Sequence, residues 1–296
     1  MAYFSDTATM AAICRAAHQI LDDDPRILDD PIAAKFLSEE TLADLRARDP
    51  MLMAVANPFT RLHFCLRSRV AEDCMKRAAA HSVEQLIVLG AGLDSFAYRQ
   101  PIWAQSCKIV EIDHPKAQRL KTGLVKSQGL GPPENVSYLP IDLTAEPLTD
   151  ALKQAGMDAI RPLFVSWLGV SQYLPFDAVA NVLGALGAWP GGCGLVMTYA
   201  LADWSSLEPA VRAGAERAKE QAASIGEPWL NSFSEQEIAA LMRSSGFAAL
   251  KPFATAELQS VYFKADHAIE ASAGPSRIIG AHSVDEGIAW FDLDPT

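Results

Sequence analysis

The most constraining feature of the sequence is a short apolar run that ends on two glycines. Residues 85–89 (QLIVL) have the length and composition of a buried strand, and Gly90-Ala91-Gly92 follows them directly. Glycine has no Cβ, so the backbone at Gly90 and Gly92 can turn tightly and touch a ligand. In doubly wound α/β sheets, ligands bind beyond the carboxyl ends of the strands. The run therefore predicts the first strand of such a sheet and a ligand site at its end.

The rest of the chain predicts a sheet wrapped by helices. Six further strand candidates are residues 108–112, 136–141, 163–167, 195–200, 250–253 and 277–281. Amphipathic helix candidates lie among them, at residues 115–128, 147–156, 176–188, 206–224 and 234–245. Such alternation is typical of a mostly parallel sheet with helices on both faces. Residues 1–82 show only helical patterns, at 7–21 and 58–80. We therefore expect an N-terminal helical cap over residues 1–82 and a core over residues 83–296, in one integrated domain.

Charge and cysteine content limit the function. The chain of 296 residues has a formal net charge of −11, which argues against a nucleic-acid partner because phosphate binding needs a cationic face. Its five cysteines are odd in number and form no C-x-x-C pair, so neither a disulfide framework nor a zinc site is expected. No signal peptide or membrane-spanning run is visible in the sequence. We expect a cytoplasmic protein without a bound metal or a membrane partner.

Acidic residues at two further strand ends indicate an adenosine ligand. Asp113 ends the second strand candidate, 23 residues after Gly90, where ribose hydroxyls are held in nucleotide-binding sheets. A carboxylate there can accept hydrogen bonds from both hydroxyls. Asp142 and Leu143 follow the third strand candidate, where the acid can accept a bond from the adenine amine and the leucine can pack on the base. Alternatively, Asp142 only caps the following turn.

The glycine turn favours one adenosine ligand over another. A dinucleotide motif, G-x-G-x-x-G, needs a third glycine, which the segment GAGLDS lacks. Asp94 stands where the pyrophosphate would be repelled, and it suits a cationic group such as the ammonium or sulfonium of S-adenosyl-L-methionine. The electrostatics therefore favour this methyl donor over a nicotinamide cofactor, which remains the alternative.

Several ordered motifs carry a family resemblance over nearly the whole chain. The strings VLGAGLDSFAYR, EIDHPKAQRLK and VSWLGVSQYLP, with RAAH and DDPIAAKF before them, resemble the leucine carboxyl methyltransferase-like family of S-adenosyl-L-methionine-dependent methyltransferases, closest to its bacterial branch. The resemblance implies the class I methyltransferase fold, which is Rossmann-like, with a seven-stranded sheet, a reversed last strand and a helical cap.

The resemblance also implies roles for residues. Those that would hold the donor are Gly90 and Gly92 at the methionine part, Asp113 at the ribose, and Asp142 and Leu143 at the adenine. Arg67 or Arg69 would bind the donor carboxylate; the two lie about 200° apart on a helix, so one should face the site, and we favour Arg67. Leu168 departs from the family, since similar sequences often have glutamate there and leucine cannot bind the donor amine.

The acceptor is less constrained. We expect an O-methyltransferase acting on a small-molecule carboxylate, which needs no general base, or on a hydroxyl, which does. Tyr173 is the candidate catalytic residue, because its hydroxyl would lie beyond the fourth strand beside the methyl group; packing is an equally weighted alternative. Lesser candidates for a direct role are His18, His63, His114 and His267, and Trp167, Trp204 and Trp229 either line an acceptor pocket or fill the core. A protein that binds the donor without catalysis remains a further alternative, and the oligomeric state is not indicated.

Overall fold

The fold is an α/β sheet of seven strands. A computed structural model describes residues 7–263 and 274–293 of the chain. The strands are β1 (Gln85–Leu89), β2 (Lys108–Asp113), β3 (Val136–Pro140), β4 (Leu163–Trp167), β5 (Cys193–Ala200), β6 (Ala249–Phe253) and β7 (Ser276–His282). Their order is β3-β2-β1-β4-β5-β7-β6, and β7 runs antiparallel to both of its neighbours. The predicted mostly parallel sheet with a reversed last strand is confirmed.

Ten α-helices surround the sheet in the described part of the chain. They are α1 (Thr7–Leu21), α2 (Glu39–Arg46), α3 (Pro50–Val55), α4 (Pro58–Ala80), α5 (Pro115–Ser127), α6 (Leu148–Gln154), α7 (Phe176–Gly187), α8 (Pro209–Ser224), α9 (Glu235–Ser244) and α10 (Thr255–Tyr262). The predicted helix at 206–224 begins later, at Pro209, because the fixed φ of proline and its missing N–H suit the first helical position. Ser234 and Glu237 form a capping box at the start of α9, in which each side chain accepts a hydrogen bond from the backbone N–H of the other residue.

Strand β1 lies at the centre of the sheet and fixes the position of the ligand site. All five of its residues are buried, and it pairs in parallel with β2 on one side and β4 on the other. The chain therefore leaves β1 in one direction for β2 and β3 and returns on the other side for β4 and β5. At this switch point the connections diverge from each other, which opens a crevice at the carboxyl ends of β1 and β4.

The N-terminal helices form a layer over that crevice. Helices α1, α2 and α3 share an apolar cluster that contains Ile13, Leu45 and Leu52, and this cluster also includes Leu93 of the loop after β1. Helix α4 instead packs on the sheet, because Cys65, Val70 and other residues of its buried face join a cluster with strand residues. The division at residues 82 and 83 stays a prediction, and residues 1–6, 264–273 and 294–296 of the two predicted parts lie outside the described residues.

Candidate functional site

A cavity of about 1360 Å³ lies at the carboxyl ends of the central strands. Leu89 at the end of β1, Asp113 at the end of β2 and Ser166 near the end of β4 form its floor. Helix α1, the first turns of α4, helix α8 and residues 226–230 cover it. A hydrogen bond links helix α1 to residues 226–230: the backbone N–H of Thr7 donates to Glu227 Oε2 at 2.9 Å. The volume is large enough for a drug-sized ligand and a second molecule beside it.

The glycine turn after β1 lines this cavity, and both glycines have positive φ. Gly90 has φ +66° and Gly92 has φ +47°, a region that L-residues with a side chain rarely adopt. A Cβ at Gly90 would lie 2.2 Å from Cγ2 of Val170, and one at Gly92 would lie 3.0 Å from Cβ of Ala8. The missing side chains therefore admit the β4–α7 loop and helix α1 against the turn. Close packing is a second reason for these glycines, beside the ligand contact that the sequence predicts.

Asp113 holds the glycine turn in place. Its Oδ2 accepts a 2.5 Å hydrogen bond from the N–H of Gly92, and its Oδ1 accepts one of 2.6 Å from the N–H of His114. Burial raises the pKa of Asp113, and these two backbone bonds partly oppose that shift. A carboxylate has about four lone-pair sites, so two remain for hydroxyl groups of a ligand. The acid at the end of β2 can thus order the turn and bind a ribose together.

Arg67 and Asp94 place opposite charges on the cavity wall. The guanidinium of Arg67 stacks on the ring of Phe64 at 4.3 Å and has no hydrogen-bond or ion-pair partner within residues 7–263 and 274–293. Burial and the nearby Arg15 lower the pKa of Arg67 to about 10, and Tyr173 and Asp94 act against this. Asp94 uses Oδ1 to accept a bond from the N–H of Phe96 at 2.8 Å. This pair of charges suits a zwitterion.

Arg69 is engaged away from the cavity. Its Nε donates to Asp73 at 2.8 Å, its Nη1 donates to the carbonyl of Ile27, and its guanidinium lies 5.5 Å from the ring centre of Tyr262. Arg69 does not line the cavity, whereas Arg67 does. The structure therefore favours Arg67 in the choice that the sequence leaves between the two.

The loop after β4 forms another wall of the cavity. Tyr173 and Gln172 line it, and the backbone carbonyl of Gln172 accepts hydrogen bonds from the N–H groups of Leu230 and Asn231. Gly169 has φ +73° and lies under the guanidinium of Arg67, so that a Cβ would meet Nη1 at 2.6 Å. Leu168 also lines the cavity and packs against the apolar cluster beneath α4. Tyr173 is therefore positioned for the predicted role, and that role stays a prediction.

Asp142 and Leu143 do not line the cavity. The Oδ1 of Asp142 accepts bonds from the N–H of Thr144 at 2.9 Å and from its Oγ1 at 2.7 Å. These two bonds lower the pKa of Asp142. Asp142 therefore caps this turn, as in the alternative that the sequence left open, and the adenine contacts of Asp142 and Leu143 stay predictions. The loop is adjacent to the site, since the N–H of Ile141 donates to the carbonyl of Asp113.

The remaining aromatic and histidine candidates lie in different parts of the structure. Trp167 is fully buried in the core, and Trp229 lines the cavity with the ring of Trp204 6.0 Å away. His114 lines the cavity and caps α5, because its Nδ1 accepts from the N–H of Lys116. His18 pairs with Asp22 at 2.7 Å, and His267 lies outside the described residues.

The cavity is also lined by His63, a lesser candidate from the sequence, and by Arg277, which no sequence motif indicates. His63 lies one helical turn before Arg67 on α4, and Arg277 lies at the start of β7, more than 200 residues away in the chain. The spacing of His63 and Arg67 is a helical signal that was available in the sequence. Arg277 could not be found in this way, because only the pairing of β7 with β5 brings it to this end of the sheet.

Within residues 7–263 and 274–293, no group of three or more histidine, cysteine, aspartate or glutamate side chains could hold a metal ion. In the same ranges, none of the helices combines the length and the apolarity that a bilayer crossing requires.

A family model decides the class of the protein. The model of the leucine carboxyl methyltransferase family matches residues 8–187, which include the glycine turn, Asp113 and Tyr173. The chain belongs to the leucine carboxyl methyltransferase family. This membership confirms the predicted methyltransferase class.

Curated relatives agree with the family. The Bacillus subtilis protein YktD, which carries the provisional name of an S-adenosyl-L-methionine-dependent methyltransferase, is 28% identical over 87% of this chain and 90% of its own length. A similarly named Mycobacterium tuberculosis protein, Rv3787c, is 32% identical, and the match spans 60% of this chain and 59% of the relative. The match to a Mycolicibacterium gilvum relative spans only 41% of that protein. These relatives bear out the predicted dependence on S-adenosyl-L-methionine.

Solved structures support the fold. A methyltransferase of provisional assignment from Thermobifida fusca has a TM-score of 0.56 and is 17% identical, with 94% of this chain and 95% of that chain covered. A DUF574 family protein from Streptomyces avermitilis has a TM-score of 0.52 and is 16% identical, with 92% and 97% covered. At these identities the likeness is one of fold alone.

Proposed function

We propose that the protein is an S-adenosyl-L-methionine-dependent O-methyltransferase that acts on a small-molecule carboxylate or hydroxyl in the cytoplasm. The observation that carries the proposal is the convergence of Arg67, Asp94, Asp113 and the glycine turn on one cavity at the switch point of the sheet. The family membership favours a methyl donor over the nicotinamide cofactor that the sequence left as an alternative.

The charges of the cavity wall support a specific placement of the donor. The unpaired guanidinium of Arg67 would bind the methionine carboxylate, and Asp94 would balance the ammonium and the sulfonium. Asp113 would accept hydrogen bonds from the ribose hydroxyls with the lone pairs that Gly92 and His114 leave free. The Oδ2 of Asp142 has no hydrogen-bond partner in the described ranges and would accept from the adenine amine, while Leu143 would pack on the base.

The same geometry supports the transfer step. A methyl group moves in line from sulfur to the attacking oxygen, so the main task of the protein is to position the two molecules. The lone pair of the acceptor oxygen forms the new bond while the electrons of the sulfur–carbon bond return to sulfur. Tyr173 lines the same cavity as Arg67, and its hydroxyl would orient the acceptor beside the methyl group. A carboxylate acceptor needs no base, because it is already ionised at neutral pH.

The five cysteines support a reducing compartment. All of them are free and buried, and burial raises the pKa of each thiol, which makes it a poor nucleophile. Free buried thiols of this kind are ordinary packing residues. A cytoplasmic location and a small-molecule acceptor, with no nucleic acid or membrane as partner, are the simplest proposal for this acidic chain.

Donor binding is tested by calorimetric titration with S-adenosyl-L-homocysteine, the product that donor turnover leaves. Arg67→Gln should weaken its affinity about 10- to 100-fold, because charge-assisted hydrogen bonds to the carboxylate are lost. Arg69→Gln is the matched control: the two residues share a helix, but Arg69 is paired elsewhere, so this variant should bind like the wild type. Equal affinities in all three proteins, or no heat from any, would contradict the donor site.

The reaction is tested by incubating the protein with methyl-labelled donor and a mixture of small acids, phenols and alcohols. Mild alkali releases labelled methanol from a methyl ester and leaves a methyl ether intact, so the product separates the two acceptor classes. Tyr173→Phe should lower kcat and leave the affinity for S-adenosyl-L-homocysteine unchanged. A protein that binds the donor product and transfers no label to any acceptor would favour the non-catalytic alternative.

A further inference from the structure

One end of the cavity is positively charged, in a chain whose net charge is −11. The acids that line the cavity in the described ranges are Asp94, Asp113 and Glu227. Asp94 and Asp113 lie at the glycine-turn end of the cavity, and the Glu227 carboxylate accepts a hydrogen bond from the N–H of Thr7. The opposite end has His63 on α4 and Arg277 on β7. A local reversal of charge against so acidic a background indicates a ligand with a negative group at that end.

The order of these side chains along the cavity separates them from the donor. His63 and Arg67 are four residues apart on α4, so they share one face of the helix and differ by one turn, about 6 Å along its axis. Asp94 follows β1, and Gly169, which follows β4, lies against the guanidinium of Arg67, whereas Arg277 lies on β7, two strands beyond β4 in the sheet. The sequence of groups is therefore Asp94, Arg67, His63 and Arg277. The donor proposed above occupies the first two, which leaves the last two for another molecule.

Both His63 and Arg277 have N–H groups that make no hydrogen bond in the described ranges. His63 has no hydrogen-bond partner in the ranges that the structure describes; its ring lies 5.8 Å from that of Phe64. Arg277 uses Nη1 to donate to the carbonyls of Gly274 and Ser276, and its Nε lies 4.0 Å from Glu235. The Glu235 side chain is 69% exposed, so that ion pair is weak. Among residues 7–263 and 274–293, the Nη2 group of Arg277 has no hydrogen-bond partner, so it is available to a ligand.

The walls around this end are apolar. Phe59 and Phe64 of α4, Val211 of α8, Leu258 of α10 and Ile278 of β7 line the cavity there. Phe59 is 51% exposed, so the apolar wall continues toward the surface on this side. A molecule that matches these walls has an apolar body, and burying it would supply most of the binding free energy.

We propose that Arg277 and His63 form an anion subsite for the methyl acceptor, and that the acceptor is an apolar organic molecule with a negative group. This inference rests on the proposed function and deepens it. The guanidinium would hold the anion by charge-assisted hydrogen bonds, with the neutral imidazole as a second partner. Burial and the two arginines lower the pKa of His63 to about 3, so the ring stays neutral.

The subsite anchors the acceptor and does not activate it. A carboxylate that accepts hydrogen bonds from a guanidinium is a weaker nucleophile, because its charge is drawn toward the donor groups. We therefore infer that the anion at Arg277 is a separate group from the oxygen that receives the methyl. Arg277 is then a specificity-determining residue, whose loss removes binding in the ground state and the transition state alike.

The test is a titration of the protein, saturated with S-adenosyl-L-homocysteine, with phenylbutyrate and with its uncharged analogue phenylbutanol. The wild type should prefer the carboxylate. Arg277→Gln should weaken phenylbutyrate binding about 10-fold or more and leave phenylbutanol binding unchanged. Arg277→Lys should restore part of the preference. Arg212→Gln, which changes an exposed arginine of α8 outside the cavity, should behave like the wild type.

The outcomes separate this inference from the proposed function. Variants whose affinity for S-adenosyl-L-homocysteine equals that of the wild type are correctly folded at the donor site. If the donor product binds but the carboxylate binds no better than the alcohol, or binds equally well to Arg277→Gln, the subsite is refuted and the donor site stands. If the donor product does not bind, the proposed function fails first. Absence of binding by either probe also counts against the subsite.

Discussion

Replacing Arg15 should destabilise the protein strongly, because this arginine joins the cap to the glycine turn from a buried position. Its Nε donates to Asp30 Oδ2 at 2.8 Å, and its Nη2 donates to the carbonyl of Leu93 at 2.5 Å. The side chains of Arg15 and Asp30 are 6% and 0% exposed. Burial alone would raise the pKa of Asp30, but Arg15, Arg99 and a hydrogen bond from Ser95 hold it below its ordinary value. The charge of Asp30 is therefore maintained by its neighbours.

The magnitude follows from what the substitution Arg15→Met leaves behind. Methionine fills similar space, so the main loss is electrostatic: Asp30 keeps Arg99 and Ser95, and the carbonyl of Leu93 loses its donor. Removing one partner of a buried ion pair costs about 3–5 kcal/mol. Because Asp30 keeps other partners, we expect the lower end, about 3 kcal/mol. A domain of this size should have a urea m value of about 3 kcal/mol per M, so the midpoint should fall by about 1 M.

The assay is urea unfolding followed by circular dichroism, with Arg46→Met as the control. Arg46 is an exposed arginine of α2, and its replacement should change the free energy of unfolding by less than about 0.5 kcal/mol. The double variant Arg15→Met with Asp30→Asn should lose less than the sum of the single changes, since the two side chains share one interaction. A loss in Arg15→Met no larger than that in the control would refute the reasoning.

Two further predictions use other parts of the cavity and the cap. Gly169→Ala should weaken binding of S-adenosyl-L-homocysteine about 10-fold, because the new Cβ displaces the guanidinium of Arg67. The control Gly123→Ala adds a Cβ in open space within α5 and should leave this binding unchanged. Calorimetric titration measures both affinities. Burial alone would raise the pKa of Asp22, but hydrogen bonds from a histidine and an arginine outweigh it and lower that pKa to about 2. The stabilisation is present above the unfolded pKa near 4 and is lost as pH falls toward 2, by about 1–2 kcal/mol after solvent screening. Asp22→Asn should flatten this acid limb in urea titrations at each pH.

Local patterns predicted the centre of the sheet well. Strand β1 and the glycine turn follow from five apolar residues and two glycines that are adjacent in the chain, and β2 has its acid at a fixed distance from them. Such features depend on short-range sterics and hydrophobicity, which a single sequence carries. Even there, the packing of Val170 against Gly90 was not visible, because it depends on how a distant loop returns to the turn.

The features that the sequence did not predict depend on long-range packing. Helices α2, α3 and α10 are short and gain their stability from tertiary contacts, so their patterns were too weak to detect. Trp290 and Phe291 pack beneath the sheet against Phe164, a long-range contact that no local pattern predicts. The direction of the Asp142 side chain depends on local hydrogen bonds from Thr144, which the strand pattern does not reveal.

Leucine at position 168 limits which carboxylate can pair with the ammonium of the proposed donor. The family resemblance implies glutamate at this position, whereas the leucine side chain here joins an apolar cluster beneath α4. Asp94 and Asp113 are then the carboxylates left at the glycine-turn end of the cavity in the described ranges, and both oxygens of Asp113 already accept backbone bonds. Asp94 has one oxygen engaged, with the N–H of Phe96, and one free. In the proposed function, a donor whose carboxylate binds Arg67 would therefore direct its ammonium to the free oxygen of Asp94.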